Sequence, residues 1–389
     1  MTLVPFGYNL RSLLVRRSAT LLTVLGIGAT VAVLAGVLAL RQGFESLFAE
    51  SGRDDIIVFL RPGAGSEGES IISRERADIL TKSFPEIASD DKGRPFATAQ
   101  TYLAVRRTKL GGGETNVPIR GVEPMTFELY GDDLRISAGR MFRPGTDEVI
   151  VGSKLPNRIR DTRVGDVLVL NTTPFRVVGI LEHDGPFSSE IWGDLERIST
   201  ALERPSFNRV IARLRPEVEF ETFVRRVADD EQAPAKVMTE REYLTSQTQA
   251  LSYVLGLLGS FLATIMGIAA VFTATNTMLA AIAARTHEIG VLQSIGFRRS
   301  SIFLSFLFES LVLGLLGGAV GAIFALPLNG IETGTTNFQT FTEVAFAFRV
   351  TPTVLIVAVL FATLLGVLGG AYPAWRAARL RPTEALRRI

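Results

Sequence analysis

A cluster of charged residues interrupts the apolar second half of the chain, in the stretch ARTHEIGVLQSIGFRRSS at residues 284–301. Its charged or ionisable members are Arg285, His287, Glu288, Arg298 and Arg299. Its apolar and small residues at helical spacing are Ile289, Leu292 and Ile295, with Gly290 and Gly296 allowing close backbone approach or a sharp turn. These residue types suit protein contact: a short amphipathic helix could lie along a membrane surface or in the groove of a partner. The alternative is a loop that only sets membrane topology.

A single carboxylate, Glu309, follows this cluster inside an otherwise uncharged segment. A carboxylate in such a segment is costly and is by default a functional candidate. Because Glu309 lies about two helical turns from Arg298 and Arg299, an ion pair near the membrane interface is the simpler interpretation. A proton relay would need further intramembrane acids, and the sequence contains none.

Four segments with almost no charge surround these residues. Residues 19–40, 243–284 and 350–375 are uncharged, and residues 300–331 carry only Glu309. Each is long enough to cross a hydrocarbon core of about 30 Å at about 1.5 Å per residue. The first segment is longer than the apolar run of a secretory signal, and we therefore expect it to remain as an anchor. The sequence predicts a membrane protein with four transmembrane helices.

The bias of arginine between loops predicts the orientation of the chain. Residues 1–18 and 285–299 each contain three arginines, and residues 376–389 contain five, whereas residues 329–349 contain two glutamates and one arginine. Basic short loops remain in the cytoplasm. We therefore place 1–18, 285–299 and 376–389 in the cytoplasm, and 41–242 and 329–349 outside.

The long segment between the first two spans is the part large enough to bury a core. Strand-like runs alternate with helical ones, and Gly111–Gly113 form the tip of a predicted hairpin within 101–121. The fold class is thus four transmembrane α-helices with a large α+β domain inserted between helices 1 and 2. The predicted division is as follows: amphipathic cytoplasmic helix 1–18, spans 19–42, 251–284, 301–328 and 352–375, outer domain with helical stalks 43–250, coupling helix 285–300, outer loop 329–351 and cytoplasmic tail 376–389.

No catalytic, cofactor or metal site is recognisable in the sequence. GxxxxGK[ST] does not occur, and the nearest glycine cluster, at 111–116, lacks the lysine that would reach a phosphate. His183 and His287 fall on opposite sides of the predicted membrane, and His183 is expected in a solvated loop. We expect no cofactor on this chain, no enzymatic activity and no nucleic-acid partner.

Residues 285–321 resemble a segment of MacB/FtsX-type ABC transporter permeases, in which an R-x-x-E-I-G-x-x-x-x-x-G helix precedes a span with a glutamate and glycines. The resemblance matches Arg285, Glu288, Ile289, Gly290 and Gly296 to the motif, and Glu309 to the glutamate of the span. Residues 9–27, 136–181 and 372–387 are similar to three further segments of these permeases, in the same order.

The resemblance implies a permease subunit in the bacterial inner membrane, with its large domain in the periplasm. Such a subunit would pair with a second, identical or different, permease chain and dock an ABC ATPase through the 285–300 helix, with ATP and Mg²⁺ bound on the ATPase. MacB carries its ATPase on the same chain, and we expect a separate ATPase subunit here. The expected function is export or extraction of a substrate from the periplasm or the outer leaflet, with a periplasmic adaptor as a further candidate partner. Two alternatives stay open: an FtsX-like transmitter of signals to periplasmic partners, and a membrane-anchored sensor or scaffold.

Overall fold

The computed structural model describes residue 15 and residues 17–337 and 340–382. The predicted helix at 1–18 and the end of the predicted tail therefore lie largely outside the described residues. The helices within them are α1 (Arg17–Ala49), α2 (Arg74–Lys82), α3 (Met125–Tyr130), α4 (Leu195–Ala201), α5 (Phe220–Ala228), α6 (Glu240–Ala284), α7 (Thr286–Ser294), α8 (Arg299–Ala325) and α9 (Pro352–Ala378). The strands are β1 (Ile56–Leu60), β2 (Ala97–Thr108), β3 (Glu114–Val122), β4 (Arg135–Gly139), β5 (Glu148–Gly152), β6 (Val167–Leu170), β7 (Thr173–Glu182), β8 (Ile191–Asp194), β9 (Arg209–Arg213), β10 (Lys236–Thr239), β11 (Glu332–Thr336) and β12 (Glu343–Ala347).

The chain forms two compact units, which we call the helical unit and the sheet unit. The sheet unit comprises Phe44–Ser252 and Glu332–Phe346, and the helical unit comprises the described parts of the remaining chain. The helices α1, α6, α8 and α9 are long and apolar enough to cross a membrane. Both α1 and α6 continue without interruption from the apolar segment into the sheet unit, where they form the helical stalks predicted within 43–250.

Glycines allow α8 and α9 to pack closely in the helical unit. A Cβ atom on Gly314 would lie 2.8 Å from the carbonyl oxygen of Ala362, and one on Gly366 would lie 2.6 Å from that of Ser310. Both distances are shorter than real Cβ contacts, and the obstructing atoms are backbone. Small residues allow close approach of apolar helices, whose association in lipid depends on van der Waals packing. The two helices therefore form one closely packed pair.

The sheet unit is an α+β domain around one mixed sheet. The strand order is β10-β1-β9-β2-β3-β8-β5-β7-β4, and β6 pairs with β7. The predicted hairpin is confirmed, because β2 and β3 pair from Thr101↔Gly121 to Thr108↔Glu114. At its tip, Gly112 and Gly113 have φ of +91° and +79°, a backbone conformation that favours glycine. Helices α2 and α5 cover one apolar cluster of the sheet, and α4 packs against another.

The connection between α8 and α9 differs from the prediction of a loop at 329–351. It contains an antiparallel hairpin of β11 and β12, which forms a separate two-stranded sheet within the sheet unit. The sequence signal was weak because β11, with the sequence ETGTT, has little apolar character and is largely exposed. By contrast, the central residues of β12 are buried.

Candidate functional site

The coupling helix predicted at 285–300 is shorter in the structure. Helix α7 begins at Thr286 and ends at Ser294, and Gly296 follows with φ of +104°. The N–H of Phe297 donates to the carbonyl oxygen of Leu292 and that of Gly296 to that of Gln293, both at 3.1 Å. This hydrogen-bond pattern and a left-handed glycine end helices in the Schellman motif. Gly296 thus makes the sharp turn into α8 that its position predicts.

One side of α7 is anchored in the helical unit. Ile289 is buried and packs in an apolar cluster with residues of α6, α8 and α9: Met278, Ala281, Ile282, Ile302, Phe306, Ala374 and Ala377. Gly290 is also buried, and Leu292 is half-buried. Ile295 differs from the prediction that it shares this apolar face, because its side chain is 72% exposed. It caps the helix at the point where the chain turns away.

A buried ion pair joins the start of α7 to α8. Arg285 Nη1 donates to Glu309 Oε2 at 3.3 Å, and both side chains are almost completely buried. The Arg285 guanidinium also lies over the ring of Phe306, 5.5 Å from its centroid. The prediction that Arg298 or Arg299 would be the partner of Glu309 is therefore wrong: both arginines are exposed at the start of α8. The 24 residues between Arg285 and Glu309 conceal this pair in the sequence.

The opposite side of α7 presents a mixed apolar and acidic surface, formed by Glu288, Val291 and Ile295, which we call the docking face. The Glu288 side chain is 56% exposed and accepts a hydrogen bond from Arg285 Nε at 3.2 Å. Val291 is 38% exposed. The face thus carries two exposed branched side chains beside a carboxylate that Arg285 orients. Of the predicted residues, the structure brings Arg285, Glu288 and Glu309 together and places Ile289 and Gly290 behind the docking face.

A second arrangement, which the sequence did not reveal, lies in the sheet unit where the outer ends of α1 and α6 meet. The backbone N–H of Arg241 donates to the carbonyl oxygen of Arg53 at 3.2 Å, and Arg241 Nη1 donates to that of Ala49 at 2.8 Å. A Cβ atom on Gly52 would lie 2.5 Å from the Cα of Arg241, so only glycine permits this approach. We call residues 49–55 and 239–243 the stalk junction.

A fully buried carboxyl group lies at the start of α6 in the stalk junction. Glu240 accepts hydrogen bonds from the hydroxyl of Tyr130 and, at 3.3 Å, from the backbone N–H of Arg53. Burial raises the pKa of Glu240, and the hydrogen bond from Tyr130 and the charge of Arg209 oppose that rise. These hydrogen bonds therefore hold Glu240, the first residue of α6, to the rest of the sheet unit.

A buried network of four charged residues lies next to this junction. Arg120 donates to both carboxylate oxygens of Glu67, at 2.7 and 2.8 Å, and to both of Glu190, at 2.7 and 2.9 Å. Arg209 lies 3.3 Å from Glu67. Burial opposes the ionisation of Glu67, but Arg120 and Arg209 lower its pKa below the ordinary value. The Glu67 backbone N–H donates to the hydroxyl of Tyr243 at 3.2 Å, which ties this network to α6.

A polar cleft of about 700 Å³ opens beside the stalk junction. His183 borders it but is buried against Phe187 rather than solvated as predicted, and its Nδ1 accepts the N–H of Gly185 at 2.8 Å. Burial lowers the pKa of this imidazole. Within residues 15, 17–337 and 340–382, no group of three histidine, aspartate or glutamate side chains could hold a metal ion.

Two family models match this chain. The model of the MacB-like periplasmic core domain matches residues 20–230, and that of the FtsX-like permease C-terminal region matches residues 260–382. The first match covers more than half of the chain. The second includes all of α7, α8 and α9 and just over half of α6.

Curated relatives include two macrolide export ATP-binding/permease proteins MacB. The protein from Agrobacterium fabrum is 27% identical over 95% of this chain and 58% of its own length. The protein from Acinetobacter baylyi is 27% identical over 98% of this chain and 59% of its own length. This chain spans about three-fifths of the length of these relatives. Among solved structures, the periplasmic region of MacB from Actinobacillus actinomycetemcomitans is 15% identical over 49% of this chain and 91% of that chain, with a TM-score of 0.36.

Proposed function

Because this chain belongs to the MacB-like periplasmic core domain family and is an ABC transporter permease of the MacB/FtsX type, we propose that it relays ATP hydrolysis on a separate ATPase subunit to its periplasmic domain. It is an inner-membrane protein with a periplasmic domain. The docking face of α7 carries the proposal: an exposed surface on a helix whose other side is anchored by Ile289 and the Arg285–Glu309 pair. An amphipathic helix with this division suits the groove of a partner protein.

The relay runs from α7 along the helices to the sheet unit. Gly296 connects α7 directly to α8, and the buried Arg285–Glu309 pair and the Ile289 cluster tie α7 to its neighbouring helices. The continuous helices α1 and α6 lead to the stalk junction. There, the hydrogen bonds of Glu240 and Tyr243 transmit a displacement of α6 to the buried network of the sheet unit. Packed interiors respond to such displacements as units because they deform little.

A second permease chain completes the proposed transmembrane part. In the most apolar 18-residue stretch of α6, 17% is buried within the chain, whereas 39% is buried in the corresponding stretches of α1 and α9. Its exposed apolar side chains include Leu257, Phe261, Ile265, Ile268 and Phe272. A second copy or a related permease chain would cover part of this surface, and lipid would cover the rest.

The proposed substrate lies in the periplasm or the outer leaflet, and a periplasmic adaptor would accept it. The match of residues 20–230 to the MacB-like core domain supports an exporter or extractor over an FtsX-like signal transmitter. The curated relatives are named for macrolide export and for ATP binding as well as permease activity. We propose that the ATP-binding part acts from a separate polypeptide, which docks on α7. Residues 1–389 themselves contain no phosphate-binding GxxxxGK[ST] motif.

The proposed topology inserts the sheet unit between the first two spans, on the periplasmic side, and places α7 in the cytoplasm. The sequence has no cysteine, so each introduced cysteine is the only thiol. We expect Asp91→Cys, at an exposed turn of the sheet unit, to react with a membrane-impermeant maleimide in spheroplasts. Ser300→Cys, exposed at the start of α8, should react only after the membrane is permeabilised. Labelling of Ser300→Cys in intact spheroplasts would show that the proposed orientation is wrong.

Substitutions on the docking face test ATPase recruitment. Ile295→Asp places a charge in an apolar contact, and Glu288→Lys reverses the charge beside it. Central interface residues contribute about 2 kcal/mol or more, so we expect each variant to bind the ATPase about 30-fold more weakly or worse. The measurement is the amount of ATPase that co-purifies with the tagged permease from detergent-solubilised membranes, at equal permease abundance.

Two comparisons separate docking from folding. Ser300→Asp introduces the same charge at an exposed position outside the docking face and should leave recruitment unchanged. Gly290→Val inserts a branched side chain at a buried position, so it should displace α7 and also reduce recruitment. Wild-type ATPase recovery with both Ile295→Asp and Glu288→Lys would refute the proposal and favour a loop that only sets topology.

A further inference from the structure

A carboxylate of the β11–β12 hairpin forms ion pairs with two cations in the body of the sheet unit. Lys109 Nζ lies 2.5 Å from Glu343 Oε2, and Arg158 Nη2 donates to Glu343 Oε1. The Glu343 side chain is only 10% exposed. Burial alone would raise the pKa of Glu343, but hydrogen bonds from Lys109, Thr115 and Arg158 lower it. The carboxylate is therefore held in its ionised form between two cations of the sheet unit.

We call the ion pairs of Glu343 with Lys109 and Arg158 the clamp. Several hydrogen bonds to the hairpin backbone supplement it. Arg158 Nη1 donates to the carbonyl oxygen of Thr333 at 3.1 Å, and Lys154 Nζ donates to that of Ala345 at 3.2 Å. The Ala345 N–H donates to Ser189 Oγ at 3.2 Å. These contacts come from both strands of the hairpin. Because a lone two-stranded hairpin is marginally stable in water, docking on the sheet unit is what holds it in this conformation.

Gly334 makes room for the arginine of the clamp. A Cβ atom at this position would overlap Nη2 of Arg158 and would lie 2.9 Å from Glu343 Oε1. The obstructed atom is the end of a flexible side chain, so a larger residue would displace the guanidinium and leave the strand backbone in place. Gly334 therefore offers a second route to opening the clamp without altering any charged residue.

The clamp holds a segment that connects two of the apolar helices. The hairpin follows α8 and precedes α9, the helix pair packed through Gly314 and Gly366, although it belongs to the sheet unit. We propose that the hairpin is a third link between the membrane helices and the periplasmic domain, in addition to α1 and α6, and that Glu343 is the positioning residue that fastens it. The inference rests on the proposed relay function. It assigns α8 and α9 a direct connection to the periplasmic domain, from the helix that follows α7.

The test uses the permease with its bound ATPase in lipid nanodiscs and follows hydrogen–deuterium exchange with and without ATP plus vanadate. In the wild type, we expect nucleotide to change amide protection in the sheet unit. Glu343→Gln and Gly334→Val should speed exchange at residues 332–337 and 340–346. Both should also reduce the nucleotide-dependent change in β2 and β3 by about fivefold or more, the lower range of allosteric coupling. ATPase recovery should be unchanged, since neither residue lies near α7 in the chain.

Glu332→Gln is the matched control, because it makes the same chemical change on the same hairpin at an exposed position. It should behave like the wild type. If Glu343→Gln and Gly334→Val free the hairpin while the sheet unit responds normally to nucleotide, the third link does not exist. If the hairpin stays protected in both variants, the clamp is not what fastens it, and the proposal is equally wrong. If the wild type binds no ATPase, the proposed function itself fails, which the pull-down shows separately.

Discussion

Glu309→Leu is expected to lower the free energy of unfolding of the helical unit by about 3–5 kcal/mol, because it removes one partner of a buried ion pair and keeps the other charge buried. Arg285 also lies over the Phe306 ring and donates to Glu288, but Phe306 provides a weaker cation–π contact and the Glu288 side chain is 56% exposed, whereas Glu309 is almost completely buried. The measurement is the temperature at which the detergent-solubilised chain loses its monodisperse elution profile. We expect a large decrease in that temperature and a lower abundance in the membrane.

Two variants separate the ion pair from other effects at this position. The double variant Arg285→Met/Glu309→Leu removes both charges, and we expect it to recover most of the lost stability, since apolar replacement of a buried pair is often neutral. Glu288→Gln should cost at most about 1 kcal/mol because the Glu288 side chain is 56% exposed. If Glu309→Leu were as stable as the wild type, the pair would not anchor α7.

Arg120→Met is the second substitution with a large expected effect, of about 3–5 kcal/mol on the unfolding of the sheet unit. It removes four hydrogen bonds to carboxylate oxygens and one to Gln100, and it leaves the carboxylates of Glu67 and Glu190 buried near each other. Trp192 reports on the site, because its Nε1 donates to Glu190 Oε2 at 2.7 Å. Urea unfolding followed by tryptophan fluorescence measures the loss. A Trp375→Phe background removes the other tryptophan of the chain.

The pH dependence of this loss has a definite sign. In the wild type, Arg120 is the main charge that opposes the effect of burial on the pKa of Glu67. Without Arg120, burial raises the folded-state pKa of Glu67. The variant is therefore most impaired at neutral pH, and its deficit shrinks as the pH falls through the raised folded-state pKa and Glu67 becomes protonated. As a control, Arg140→Met breaks an ion pair in which the arginine is 46% exposed, and its effect on stability should be much smaller than that of Arg120→Met. A deficit that grew on acidification would contradict this account of the network.

Local patterns in the sequence determined the framework of the protein. The four uncharged segments predict the long apolar helices, because length and hydropathy alone decide whether a helix can cross a membrane. Gly111–Gly113 between two alternating runs predicts the β2–β3 hairpin, and Gly296 predicts the turn after α7. The family resemblance rested on similarly local motifs, and the matches at 20–230 and 260–382 confirm it. The functional roles of the predicted coupling residues remain predictions.

Only the tertiary structure decided which charges meet. Arg120 lies 53 residues from Glu67 and 70 from Glu190 in the sequence, and Arg158 lies 185 from Glu343. No periodic pattern encodes such pairs, since each side chain taken alone is equally compatible with a solvated surface. Distance along the sequence alone pairs Glu309 with the nearby Arg298 and Arg299. In the structure, the turn at Gly296 and the packing of Ile289 bring Arg285 to Glu309 instead. Helix and strand formation depends on local periodicity, but the pairing of buried charges depends on how the completed elements pack.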